Sequence, residues 1–272
     1  MFPSSFDYVR ASSVSEAISI LNNEEDAKLI AGGHSLLPLM KLRLANPSKL
    51  VDIGRIGDLS YIADRGDHVA IGALTRHAAI ESSDVVKASV PMLAYVASLV
   101  GDPSVRHRGT LGGSVSHGDG ASDLPAAILA LDATLVVTSA SGVREVAAKD
   151  FFKGFLETDL NQGEVLTEIK VPKATGGWSY QKFNRRAQDW AIVGVAAVRN
   201  GSTKISLVNM ASMPIRAEAV ESALSGGASI EEAAALASEG IEPPSDLNAS
   251  ADYRRHLASV LVRRALVEAS SN

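Results

Sequence analysis

Two glycine-rich stretches hold the residues of this chain best suited to chemistry: Ala31-Gly32-Gly33-His34-Ser35 and Arg108-Gly109-Thr110-Leu111-Gly112-Gly113-Ser114. Each falls between apolar segments, where a backbone has to come close to something. Glycine has no Cβ, so its N–H reaches a phosphate without a clash, and a helix N-terminus adds unpaired donors and the positive end of a dipole. Two such loops suit a diphosphate; one glycine pair taken alone also reads as a plain turn. Neither stretch has the three spaced glycines of a Rossmann fingerprint, and no Walker sequence with its lysine occurs. That pattern argues against a nicotinamide-binding Rossmann domain and a P-loop enzyme. No Gly-x-Ser-x-Gly elbow supports a hydrolase, and no His-x-x-x-His or His/carboxylate spacing supports a metal site.

The elements that must position these loops follow from patterning. Residues 28–31 read as a short buried strand entering the first glycine turn, after which Ser35 caps a helix with Pro38 early in it. Strands are expected at 50–53, 59–62 and 68–71, separated by Gly54, Gly57, Asp64 and Gly66, and helices at 75–81 and 91–100. After the second glycine stretch, Ser122 or Asp123 caps a short apolar helix ending near Leu131, and 134–138 is the next strand. A Pro, Lys, Ala, Thr and Gly-rich stretch at 172–177 marks a boundary. Beyond it come strands at 178–184 and 191–199, and Asn200-Gly201 signals a hairpin into 204–208. Helical patterns at 215–224, 229–238 and 251–269 close the chain. The last puts Tyr253, Leu257, Val260 and Leu261 on one side with Arg254, Arg255, Arg263 and Arg264 around it, an amphipathic helix that docks on its own domain with a solvated basic edge, or else binds a partner.

The composition narrows the classes. The chain has 272 residues, 46% of them apolar, with 26 basic against 31 acidic side chains and a net charge of −5. That length allows one large or two to three small domains with real cores. Disorder is excluded, and scattered Lys and Arg argue against a nucleic-acid groove. With no cysteine, the chain carries no disulfide, no cysteine-ligated iron–sulfur cluster and no thiol nucleophile, and any iron–sulfur chemistry must come from a partner. The absence of thiols suits a reducing cytoplasm. The apolar runs are strand-sized, so no transmembrane or secretory segment is expected.

The run from Ala31 through Leu36-Leu37-Pro38-Leu39-Met40-Lys41 to Arg43 resembles the first FAD motif of the flavoprotein (medium) subunits of molybdenum hydroxylases, the carbon monoxide dehydrogenase and xanthine dehydrogenase group. The second motif of that family is similar to Arg106 through Ser114, continuing through His117, Asp119 and Ala121 to Asp123-Leu124-Pro125-Ala126. Phe151-Phe152, residues 163–168, 183–194 and Tyr253 to Leu257 also look like family positions, so the resemblance spans nearly the whole chain in order. It implies an α+β fold: a two-part FAD-binding module of the vanillyl-alcohol-oxidase (PCMH) type, plus a C-terminal α+β domain of three-stranded sheet with helices. The expected divisions are 1–53 and 54–175 for the FAD-binding subdomains and 176–272 for the C-terminal domain.

The resemblance also implies roles. Ala31, Gly32, Gly33, His34 and Ser35 would wrap the FAD pyrophosphate, with Leu36 next to them and Lys28 near the adenine end. Thr110, Gly113 and Ser114 would meet the second phosphate region, and Asp123 would accept hydrogen bonds from ribose or ribityl hydroxyls; a helix cap is its other reading. Trp190 stands where the family often has an aromatic against the isoalloxazine, and its alternative is a core position. Leu166 and Lys182 are ring-contact candidates; Lys182 would place positive charge beside the ring or else be a solvated strand residue. His34 is expected to pack or lie near phosphate with FAD held non-covalently. No catalytic acid or base is expected. The function implied is an electron-transfer subunit between [2Fe–2S] clusters of a small partner and an external acceptor, NAD, quinone or other, while a large subunit with molybdenum cofactor acts on the substrate. A dimer of heterotrimers is expected. The alternatives are a self-contained FAD-dependent oxidase and a non-catalytic nucleotide-binding protein.

Overall fold

The computed structural model describes residues 2–271. The chain begins with β1 (Asp7–Arg10), α1 (Val14–Asn23), β2 (Ala27–Ile30), α2 (Leu36–Lys41) and β3 (Lys49–Asp52). The strands form a three-stranded sheet ordered β1-β3-β2 with both pairings parallel. Parallel neighbours need crossovers, which α1 and α2 supply. The Ser13 hydroxyl caps α1 by accepting from the Glu16 N–H, and Ala17, Ile18 and Leu21 turn onto Val51 at helical spacing. Arg10, Ile30 and Asp52 lie level at the C-terminal edge, so the first glycine turn leaves from the edge at which open α/β sheets bind ligands.

The second layer contains β4 (Ile62–Asp64), β5 (His68–Gly72), α3 (His77–Ser82), α4 (Asp84–Ser89), α5 (Pro91–Ser98), α6 (Pro103–Arg106), α7 (Leu111–His117) and α8 (Asp123–Ala130). It continues with β6 (Thr134–Ser139), β7 (Gly142–Ala147), α9 (Ala148–Phe151), the short pair β8 (Phe152–Gly154) and β9 (Glu157–Thr158), and β10 (Val165–Pro172). An antiparallel five-stranded sheet runs β4-β5-β10-β6-β7. Ile80, Leu93, Val96, Val115 and Ile128 of the helices bury against Ile71, Leu135, Val137 and Ile169 of the sheet. The strand expected at 59–62 is instead a 3-10 turn, Gly57–Leu59, followed by β4. Leu59 is drawn out of line because it packs into the core of the first sheet beside Val51 and Leu74.

The third layer comprises β11 (Gly177–Phe183), β12 (Val193–Asn200), β13 (Ser202–Val208), β14 (Ile215–Arg216), α10 (Glu218–Ser225), α11 (Ile230–Ala235) and α12 (Ala251–Ser271). The expected three-stranded sheet has a fourth, two-residue edge strand, giving the order β11-β12-β13-β14. Its two residues come from the start of the helix expected at 215–224. The Arg216 guanidinium bonds both Asp132 and Glu221, which holds the segment against β13 and delays the helix to Glu218. Asn200-Gly201 turns β12 into β13 with Gly201 at φ +77°. β12 is covered on both faces: Val193, Val195 and Ala197 meet the closing helices, while Ala196 and Val198 join the central core with α8. Buried this way, it reads as an unbroken apolar run.

α12 docks on this sheet through Leu257, Leu261, Val262, Ala265, Leu266 and Ala269. Two expectations for its faces are corrected. Arg254 is fully buried instead of lying on a solvated edge, and Tyr253 is 43% exposed. The buried stripe includes residue 254, where the guanidinium can satisfy the backbone carbonyls of Ile192 and Asn209 and pair with Asp246 at 2.7 Å.

Candidate functional site

The two glycine stretches, remote in sequence, touch. A β-carbon on Gly32 would overlap the Arg108 carbonyl oxygen and come within 3.0 Å of the Gly109 Cα, so only glycine allows this approach. Gly33 takes φ +79°, which turns the chain from β2 into α2. Ser35 stands at the head of α2 in helical conformation, and its hydroxyl makes no capping bond, contrary to the capping role read from the sequence. His34 is exposed, while Ala31, Ser35 and Leu36 are half-buried.

The second turn is fastened from below. Leu111 N donates to Thr75 O at 3.0 Å, Gly112 N to Ala73 O at 2.9 Å, and His77 N to Gly109 O at 3.1 Å. A β-carbon on Gly112 would lie 2.5 Å from the Ala73 β-carbon. The Thr110 hydroxyl caps α7 by accepting from Gly113 N at 3.1 Å. Thr110 is therefore buried as a cap, whereas Gly113 is exposed and Ser114 half-buried. Beneath the turn, His77 packs its ring against Gly109 and keeps a buried Nδ1 without a partner. Burial first, then the charges of Arg76, His34 and Arg106, push its pKa down to about 4.

Sequence reasoning missed Arg76, His77 and Asp52 at this seam. The Arg76 Nη1 donates to the Arg108 carbonyl, and the Arg76 backbone bridges to Thr110. Asp52, level with the end of β2, accepts from the Tyr8 hydroxyl at 2.5 Å and from Gly54 N at 2.7 Å. The Thr75-Arg76-His77 run has no motif of its own; its only signal is a sharp departure from the apolar strand before it.

A second cluster joins two of the expected site residues. Period-two alternation along β11 puts Tyr180 and Lys182 on one face and Ser179 and Gln181 on the other. The first pair reaches the head of α8: the Tyr180 hydroxyl donates to Asp123 Oδ1 at 2.5 Å, and Lys182 Nζ donates to Asp123 Oδ2 at 2.8 Å and to Leu99 O at 3.0 Å. The second pair reaches Glu268 of α12. Asp123 and Lys182 side chains are each 8% exposed, so the solvated reading of Lys182 does not hold. Nor does Asp123 cap α8: Ser122 occupies that position, without a side-chain capping bond. Burial pushes the Asp123 carboxyl up against the pull of the Lys182 ammonium, and the Tyr180 phenol well above its usual range. Tyr180 was also missed; the Tyr-x-Lys alternation within a strand is the signal that could have found it. Gly194 makes room for it, since a β-carbon there would stand 3.3 Å from the Tyr180 hydroxyl.

The remaining candidates lie apart from these two clusters. Lys28 is exposed on β2. Leu166 is 4% exposed in the central core, next to an irregularity in the pairing of β10 with β6. Trp190 follows β11 and is 60% exposed, which removes its core reading. It lines a cavity of about 220 Å³ with Arg185, Arg186, Asp189 and Arg254. Among the described residues no cluster of His, Cys, Asp and Glu could hold a metal ion, and no helix is long and apolar enough to cross a membrane.

The paired turns fit a dinucleotide diphosphate in chemistry: they are glycine-rich, their close approach leaves no space for side chains, and cations flank them. Comparison with known proteins identifies the domains to which these residues belong. The family described as the FAD binding domain in molybdopterin dehydrogenase matches residues 4–174, and that described as the CO dehydrogenase flavoprotein C-terminal domain matches residues 178–269. The carbon monoxide dehydrogenase medium chain of Hydrogenophaga pseudoflava is 43% identical, covering 98% of this chain and 97% of its own. The glyceraldehyde dehydrogenase medium chain of Sulfolobus acidocaldarius is 40% identical, covering 98% and 99%. A solved structure of the Hydrogenophaga pseudoflava carbon monoxide dehydrogenase, in a form lacking the Mo-pyranopterin moiety, superposes with a TM-score of 0.96 at 44% identity, covering 100% of this chain and 99% of that one.

Proposed function

The chain belongs to the family of FAD-binding medium subunits of molybdenum hydroxylases, and from that premise we propose that it is the electron-transfer flavoprotein of such a complex. A small partner with [2Fe–2S] clusters delivers electrons, a large partner with molybdenum cofactor acts on the substrate, and an external acceptor removes the electrons. The complex assembles as a dimer of heterotrimers in the cytoplasm. FAD, when bound, supplies a centre that takes electrons singly and passes them on singly or in pairs.

The contribution of this chain is position and electrostatics. Ala31, Gly32, Gly33, His34 and Ser35, with Leu36, hold the diphosphate from one side, and Thr110, Gly113 and Ser114 from the other. Asp123, oriented by Tyr180 and Lys182, keeps lone pairs free to accept from hydroxyl groups of the cofactor, and Lys182 brings positive charge to the same place. Lys28 serves the adenine end, and Leu166 and Trp190 the ring. His34 forms no covalent bond to the cofactor, and no residue here serves as acid or base. The observation that carries this reading is the contact of Gly32 with Arg108 and Gly109, which makes one cradle of two remote turns.

The substrate is not chosen by this chain: medium chains of nearly equal similarity serve enzymes named for carbon monoxide and for glyceraldehyde. The test is to purify the chain, record its visible spectrum, and release and identify the chromophore by heat. FAD, released without covalent attachment, is expected; FMN, or no flavin even after reconstitution, would overturn the proposal.

A further inference from the structure

On the reading that this chain holds FAD, we propose that the Arg76 guanidinium faces the dinucleotide's diphosphate as its positive countercharge, so that the cradle is more than backbone N–H groups. Its placement is tightly determined. The Arg76 backbone pairs with Thr110, the cap of α7, and the next N–H, that of His77, bonds Gly109 O at 3.1 Å. Its side chain then reaches along the second turn and donates from Nη1 to the Arg108 carbonyl. That carbonyl oxygen is the atom against which Gly32 of the first turn is packed. The guanidinium thus lies at the line where the two turns meet.

The charges around it call for an anion. Among the described residues, Arg76 has no carboxylate within ion-pair distance. The nearby cations are Arg108, which acts directly on Arg76, and Arg106, which with Arg76 itself acts on the adjacent His77. Among the described residues, Asp52 is the one carboxylate that acts on Arg76, from longer range, and its oxygens already accept from Tyr8 and Gly54. A half-buried guanidinium beside like charges is costly without a partner. Its planar donor fork, of which one nitrogen is spent on Arg108, matches phosphate oxygens better than any backbone donor. A diphosphate at the seam satisfies the remaining donors and relieves the repulsion between Arg76 and Arg108.

The test strips the full chain of flavin and titrates it with FAD and with riboflavin, which carries no phosphate, at low and moderate salt. Arg76→Gln is expected to weaken FAD binding about tenfold at low salt and to flatten its salt dependence, leaving riboflavin binding unchanged. Arg76→Lys, which keeps the charge, retains the salt dependence. An FAD affinity of Arg76→Gln within about twofold of wild type, or equal losses for FAD and riboflavin, would overturn the inference, because the side chain would then only prop the Arg108 carbonyl. A wild-type chain that takes up no FAD defeats the functional reading; a wild type that binds FAD no better than Arg76→Gln defeats only this one.

Discussion

Tyr180 and Asp123, 57 residues apart, are joined by a buried hydrogen bond of 2.5 Å from the phenol to the carboxylate. The bond ties the C-terminal sheet to the first turn of α8, the helix that also packs on the five-stranded layer. Ser206 reinforces the tie by donating to Ala126 O. An aspartate read from its motif as a cofactor ligand or helix cap makes no cap and forms a joint between layers.

Tyr180→Phe removes one donor to this carboxylate while keeping the ring's packing. Loss of a hydrogen bond to a buried charged acceptor costs about 1.5–3 kcal/mol. Denaturant unfolding is expected to show a lower midpoint with an unchanged slope; an unchanged midpoint would show that the bond contributes nothing.

Lys182→Met strands the Asp123 carboxylate in the interior, and a loss of about 3–5 kcal/mol is expected. Asp123→Asn combined with Lys182→Met removes both charges together and should be less harmful than the single lysine replacement. Stability measured around the full double-mutant cycle checks this, and strict additivity would refute coupling between the two.

Gly32→Ala forces a β-carbon into the Arg108 carbonyl and must push the turns apart. The purified variant should lose its flavin absorption. Gly57→Ala serves as control, since nothing lies within 4 Å of a β-carbon there, and it should keep flavin as wild type does. Equal flavin content in the two variants would contradict the shared cradle.

His77 should make stability fall with mild acid. Burial and its cationic neighbours lower its pKa from 6.5 to about 4, so the folded chain binds this proton more weakly than the unfolded one. The stabilisation is complete above about pH 6.5 and is lost as pH falls from there toward 4. Roughly 2.5 kcal/mol should disappear by about pH 4.5. His77→Gln should flatten that part of the profile; an identical slope in the variant would assign the loss to other groups.

Trp190, exposed and lining its cavity, is expected to quench or shift flavin fluorescence in the reconstituted chain. Trp190→Ala should alter flavin emission with only a small change in the unfolding midpoint, because most of the residue is exposed. Emission identical to wild type would remove Trp190 from the ring's surroundings.

Much of the fold was legible because it rests on local patterns. β3, β6, the hairpin at Gly201 and the long helix α12 follow from strand alternation, turn chemistry and helical spacing. Departures arose where a distant partner outweighed the local preference. Leu59 left its expected strand to join the first sheet's core, Ile215 and Arg216 left their expected helix because Arg216 finds Asp132, and Arg254 left the surface for the carbonyls of Ile192 and Asn209.

By itself the sequence determined which backbone stretches could approach a phosphate, because the absence of a side chain at Gly32, Gly33, Gly109 and Gly112 is a property of residue type alone. It also determined that this chain ligates no iron–sulfur cluster through cysteine, having none. Only the tertiary structure decided that the two turns form a single cradle, that Arg76 stands at their seam, and that Tyr180 and Lys182 hold Asp123. Contacts between residues so far apart in the chain leave no periodic trace; they exist only after the parallel sheet, the helical layer and the C-terminal sheet have packed and brought their edges together.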